Sequence, residues 1–284
     1  MAGAGGDILF TRYEGRRGFA WLAESYAMFR RHRLAWIGMV LAYYIALIVV
    51  DKLPLIGGLF VPLLKPILSI GFLAAAWTQE RGGKPNVRLL LRGFGANVMA
   101  LLLLGLVFGV GISIAVAATA LIDGGRLLDT LYDAAPAADA DPTAAARQVQ
   151  ETFMSARVQL AMLFGALCAL PTILAMWWAP ALVVFQDAGV RTALGASLRA
   201  AVANWRAALA YGVSMFLLGA VVPTFVTTAL ALLVPAPLNA TLAALIVLPY
   251  LAFFVATLHI SDYVSYRDVF HAGEALGSAL GSEQ

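Results

Sequence analysis

Lys65 is the one charged residue well inside a long apolar run. An ionised side chain in hydrocarbon is costly, which marks it as a functional candidate. Pro62 and Pro66 flank it, and Pro54, Gly57 and Gly58 precede it. A helix broken there could build a midplane site in which Lys65 meets an ion or a substrate. Alternatively, its side chain leans toward the helix N-terminus and carries the ammonium to the outer headgroups. Asp187 follows an apolar run and precedes an amphipathic one, so it reads as a helix N-cap. Asn204 is placed to hydrogen-bond between that amphipathic helix and the bundle. Arg267, beside Asp262 and Asp268, could clamp a carboxylate such as Asp187 across the cytoplasmic face. Gly105 and Gly109 form a GxxxG pair, extended by Gly111 and Ala115, that lets two helices approach closely, within the chain rather than between copies.

Other chemistries find no support. His32, His259 and His271 stand alone, with no histidine or cysteine at i, i+4, and Cys168 is the sole cysteine. Zinc ligation and an internal disulfide are therefore not expected. No GxSxG, Walker A, HExxH or paired-carboxylate pattern occurs. No catalytic residue, metal or cofactor is expected.

The elements that must hold these residues are apolar segments. The chain is 62% hydrophobic and 12% charged, about half the charge of a soluble domain, so lipid solvates much of its surface. Segments of about 20 apolar residues cross a bilayer, and six occur: Leu34–Val50, Gly57–Thr78, Val98–Ile122, Val158–Phe185, Ala207–Val234 and Leu238–Ile260. The fold class is an all-α polytopic membrane bundle of about six transmembrane helices. Fourteen of the 19 Lys and Arg fall in segments facing one side, against Lys52, Arg126, Arg147 and Arg157 facing the other. The positive-inside rule places both termini in the cytoplasm. Trp21, Trp36, Trp77 and Trp205 fall near that inner interface. Residues 1–18 lack an apolar core, so no cleavable signal is expected.

Three amphipathic stretches precede the first, third and fifth spans. Their apolar stripes are Phe19, Leu22, Tyr26 and Phe29; Val87, Leu90, Leu91 and Phe94; and Val190, Leu194, Leu198, Val202 and Trp205. Each suits an interfacial helix on the cytoplasmic side, with arginines at the anionic headgroups of the inner leaflet. The unit of interfacial helix and two spans occurs three times, with Ser25 aligned to Ser197 and His32 to Asn204. Residues 1–271 form a single membrane domain with an external acidic loop at 123–157, and 272–284 a disordered tail. Within the loop, Asp141 before Pro142 reads as an N-cap with proline at the first helical position. The helix after Pro142 could run straight into the fourth span.

The stretches PALVVFQDAGVRTALGASLRAAVANW (180–205), FRRHRLAWIG (29–38) and YVSYRDVF (263–270) resemble a group of six-span bacterial inner-membrane proteins. That group is similar to the YciC-like proteins and, more remotely, to the membrane domain joined to some glycerophosphodiester phosphodiesterases. The chain departs from it at Arg31, His32 and Arg33, where the group often has Arg-Asn-Pro. It departs again at Ala188–Val190, where a proline often follows the acidic residue. The resemblance implies a bacterial cytoplasmic-membrane location and carries no catalytic residues.

Three functions fit. The first is a non-catalytic protein that organises membrane or partners; the lipid bilayer is its expected partner, nucleic acid is not, and a homo-oligomer or membrane-protein partner stays open. The second is a small-molecule or lipid permease, and the third an accessory domain in lipid handling. No carboxylate or histidine is placed at the bilayer centre, which favours the first.

Overall fold

Inside a bilayer a backbone amide has no water to bond, so an apolar segment closes its hydrogen bonds on itself as a helix. The computed structural model describes residues 8–54, 57–132, 142–236 and 238–271, and every regular element among them is helical. Six segments are long and apolar enough to cross a membrane: Arg33–Asp51, Phe60–Glu80, Val98–Asp123, Ala156–Phe185, Trp205–Leu233 and Leu238–His271. Outward-facing Leu163, Phe225, Leu232 and Leu233 stay exposed, as side chains in contact with lipid do.

Helix α1 (Arg16–Arg31) leads through His32 into α2 (Arg33–Asp51), the first span; α3 (Gly57–Glu80) is the second. A 3₁₀ helix (Val87–Gly95) precedes α4 (Val98–Ala118), which continues into α5 (Ala120–Asp123). Two short helices, α6 (Arg126–Tyr132) and α7 (Pro142–Met154), belong to the connection. The fourth span is α8 (Ala156–Trp177) with α9 (Ala179–Phe185), and α10 (Val190–Ala203) leads through Asn204 into α11 (Trp205–Phe216). A π-helical turn (Leu217–Val221) joins α11 to α12 (Val222–Leu233), and α13 (Leu238–His271) is the last span.

Each irregularity has a local cause. Pro180 sits in the first turn of α9, where its missing N–H is harmless, and the fourth span breaks just before it. Ser197 of α10 closes the break: its hydroxyl donates to the Leu174 carbonyl at 2.9 Å and accepts from the Trp178 N–H at 3.1 Å. The π turn falls one turn before Pro223, and the Tyr250 hydroxyl donates to the Leu218 carbonyl at 2.6 Å.

Three details differ from the sequence reading. The last helix runs on to His271 instead of ending near Ile260, because Ser261, Ser265 and Asp268 are buried and bonded inside the bundle. Asp123 is buried rather than solvated; its carboxylate accepts the N–H groups of Gly125 and Leu127 at 2.9 and 2.8 Å. Ser155 takes extended backbone, so α7 and α8 are separate helices. Asp141, most of the Ala/Pro/Asp stretch and residues 272–284 lie outside the described residues.

The three amphipathic elements dock by small residues together with a few large ones, Trp21, Phe29 and Leu90. Helix α1 buries Gly18, Trp21, Ser25 and Phe29, and α10 buries Ala193, Ala196, Ser197, Ala200 and Ala201. The middle element is a 3₁₀ helix, not an α-helix, and Asn86 caps its first turn. Its Gly93 lies so close to α3 that a Cβ there would overlap the Ile67 carbonyl. Of the bulky stripes read from the sequence, Phe29 and Leu90 turn into the bundle instead of toward lipid, while Phe19 and Tyr26, Val87, Leu91 and Phe94, and Val202 and Trp205 are exposed.

Candidate functional site

The second, third and fourth spans pack in sequence, and the last packs on the first, second and fifth. Helices α8 and α11 make little direct contact; α10 bridges them at one end. Between them, backed by α2, α3 and α13, lies a cavity of about 560 Å³. That is the size of a small-molecule site.

Most of the wall is apolar: Phe108, Leu170, Ile173, Leu174 and Met215 among others. The polar groups collect toward one end. Asp262 of α13 accepts a hydrogen bond from the Trp177 indole at 3.3 Å. His259, one turn earlier, holds Nδ1 3.8 Å from the Asp262 carboxylate. That is beyond hydrogen-bond reach, and Nδ1 is buried with no partner among the described residues. The imidazole stacks on Phe72 at 4.0 Å and meets Tyr43 edge-on at 5.5 Å. Trp177 stacks on Tyr211 at 5.3 Å, and the Tyr211 hydroxyl shares a 2.6 Å hydrogen bond with Ser261.

Lys65 lines the same cavity, with its side chain exposed. Glu80 pairs with Arg267, which puts the ends of α3 and α13 level. Lys65 is fifteen residues before Glu80, and Asp262 five before Arg267. At 1.5 Å rise per residue the two lie about 15 Å apart along the bundle axis.

Beyond Asp262 a charged cluster ties three helices. Arg267 donates to Glu24 of α1 at 2.7 Å, to Asp268 at 3.0 Å and to Glu80 of α3. Arg17 pairs with Glu24 at 2.8 Å and with Asp268. The Trp21 indole donates to Asp268 at 3.0 Å, and the Tyr263 hydroxyl donates to Glu80. The Asp268 hydrogen bond raises the Arg17 pKa above its ordinary value, and burial, then the Asp268 charge, raises that of Tyr13.

Asp187 is not a partner of Arg267. It lies exposed in the turn before α10 with φ 49°, and the residue flanking that helix is Gly189. An acidic side chain at Asp187 therefore neither caps α10 as its N-cap residue nor joins the clamp. Asn204 is buried at the α10–α11 junction. Its amide accepts from the Tyr13 N–H at 2.7 Å and donates to the Thr11 and Ala200 carbonyls at 3.0 Å. Thr11 in turn donates to the Val269 carbonyl, so the described ends of the chain meet at one end of the bundle. Gly105 faces α3, where a Cβ would come within 2.7 Å of the Leu63 Cα; at Gly109 the nearest atom, on Pro62, is an ordinary 3.6 Å away.

Tyr43, Trp177, Tyr211, His259 and Asp262 are the residues that the one-dimensional reading left apart. They come from four helices, and only His259 and Asp262 are one turn apart in sequence.

The chain is similar to a protein of Burkholderia thailandensis named as a probable inner membrane protein. Over 263 residues, 28% are identical, covering 91% of this chain and 93% of that one. No protein-family model matches the chain, and no solved structure matches it.

Proposed function

We propose that this multi-pass inner-membrane protein works non-catalytically, by binding a small, largely apolar molecule inside its helix bundle, as a permease or a lipid-handling protein does. The cavity between α8 and α11 carries the reading: it is of ligand size, apolar in most of its wall, and contains a lysine, a histidine and a carboxylate. Ionisable groups inside a membrane bundle mark substrate or proton pathways. This reverses the preference drawn from the spans alone, because α13 carries His259 and Asp262 into the bundle.

Both termini belong in the cytoplasm on this reading. The basic segments lie at the end where Thr11 meets Val269, and the positive-inside rule assigns that end to the cytoplasm. The three amphipathic elements lie along the inner leaflet, with exposed Phe19, Tyr26, Val87, Leu91, Phe94, Val202 and Trp205 toward lipid.

Gly212 lines the cavity and has nothing within 4 Å of a would-be Cβ, so Gly212→Phe fills the space without displacing the backbone. Purified in mild detergent, the wild-type protein is expected to release a lipophilic small molecule detectable by mass spectrometry, and the Gly212→Phe protein, equally folded, to lack it. Identical lipid extracts from the two proteins would overturn the reading.

A second reading, an organiser of the inner leaflet, is favoured by those exposed stripes together with Arg30, Arg31 and Arg33, which surround one surface hollow at the α1–α2 junction. It expects the triple substitution of these arginines by Gln to lower the amount of anionic lipid that co-purifies; unchanged lipid would count against it.

A further inference from the structure

The cavity has two unlike ends. At one, Lys65 stands among apolar side chains; at the other, a carboxylate faces rings. A carboxylate in a low-dielectric site stays ionised only beside a counter-charge and otherwise takes up a proton, and no cationic side chain is fixed to Asp262 by a hydrogen bond among the described residues. Its hydrogen-bond donor is the neutral Trp177 indole, and the His259 Nδ1 stops 3.8 Å short. Arg17 and Arg267 are engaged with Glu24, Glu80 and Asp268. Lys65 is about 15 Å away along the axis.

We infer that this end of the cavity binds the head of an organic cation carried on an apolar body, with Asp262 as its counter-ion and the rings of Trp177, Tyr211 and Tyr43 beside it. The inference rests on the cavity being a ligand site. Aromatic faces carry negative potential and hold ammonium-type cations well when water is excluded; the Trp177 indole, stacked on Trp178 at 4.4 Å and on Tyr211 at 5.3 Å, presents its N–H edge to Asp262 and backs the Tyr211 ring. Such a cation supplies the partner that Asp262 lacks and leaves the pair with no net charge. An anion of the same shape would meet the carboxylate at close range with no cation to offset it. The apolar wall at Ile173, Leu174 and Met215 suits the body, and the gap between α8 and α11 gives it a way in from lipid.

Tetraphenylphosphonium and tetraphenylborate have nearly the same size and shape and opposite charge. The full chain is reconstituted in nanodiscs, and binding of each ion is measured by equilibrium dialysis against empty discs. Wild type is expected to bind the phosphonium about tenfold more tightly than the borate, and Asp262→Asn to lose about that factor, while Lys65→Ala changes it less than about twofold. Trp177→Leu removes a ring and leaves the carboxylate, so it also weakens binding and carries the test if Asp262→Asn does not fold. Phosphonium binding undiminished in Asp262→Asn, or in Trp177→Leu where Asp262→Asn does not fold, overturns the proposal. So does borate binding as tight as phosphonium and abolished by Gly212→Phe, which leaves the cavity standing as a site for another ligand. If neither ion binds and the Gly212→Phe protein releases the same molecules as wild type, the cavity reading falls together with this one.

Discussion

Arg267→Ala tests the charged clamp. The Arg267 side chain is 23% exposed, and its partners Glu24, Glu80 and Asp268 are 37%, 33% and 7% exposed. Removing it leaves those three carboxylates around a single arginine, Arg17, which reaches only Glu24 and Asp268. Glu80 keeps the Tyr263 hydroxyl alone. Breaking a fully buried pair costs about 3–5 kcal/mol, and an exposed pair contributes about 0–1 kcal/mol. The clamp lies between, so a loss of about 2–3 kcal/mol is expected, or roughly 30- to 150-fold in the unfolded-to-folded ratio. The assay is unfolding by sodium dodecyl sulfate from dodecyl maltoside micelles, followed by tryptophan fluorescence. Arg267→Lys should recover only part of the loss, because one ammonium lacks the planar fork that meets three acids. Glu80→Gln on the Arg267→Ala background should recover stability, since it removes an unpaired charge. An Arg267→Ala protein that unfolds at the wild-type detergent fraction, or a double variant weaker than the single one, would refute the reasoning.

Other perturbations test the frame. Ser197→Ala strips partners from the Leu174 carbonyl and the Trp178 N–H at the break in the fourth span; a loss of about 1–3 kcal/mol is expected in the same assay. Gly105→Ala drives a methyl into the α3 backbone and should cost about 1–3 kcal/mol, whereas Gly38→Ala, with open space around it, should be neutral or stabilising. Asp187→Gly relieves a left-handed backbone at an exposed turn and should raise stability by up to about 1 kcal/mol; a loss would show that the aspartate has a role there.

The spans were legible because a bilayer needs about 20 apolar residues and little else in this chain is long and apolar. Their ends agree with the helices to within a few residues, apart from the last. That helix misled because hydropathy falls at Ser261. The same region holds Ser261, Ser265 and Asp268 at spacings of four and three, a polar stripe on one helical face. Such a stripe on a buried helix signals hydrogen bonding to neighbours. The amphipathic stretches were visible from their bulky residues, yet their docking faces mix glycine, serine and alanine with Trp21, Phe29 and Leu90, so periodicity in large side chains does not reveal which face docks. The cavity was not legible. Its rings and its carboxylate are distributed over four helices, and no local spacing brings Tyr43 to His259 or Tyr211 to Ser261. Lys65 stood out by its charge, but nothing in one dimension showed that it shares a space with Asp262.

The topology proposed for the bundle places its arginine-rich end in the cytoplasm. In a Cys168→Ala chain, Lys84→Cys and Asp129→Cys introduce single thiols at exposed positions near opposite ends of the spans. With a membrane-impermeant maleimide on intact spheroplasts, Asp129→Cys should label at once and Lys84→Cys only after permeabilisation. The opposite pattern, or equal labelling of both thiols before permeabilisation, would contradict the orientation and, with it, the place of the three amphipathic elements at the inner leaflet.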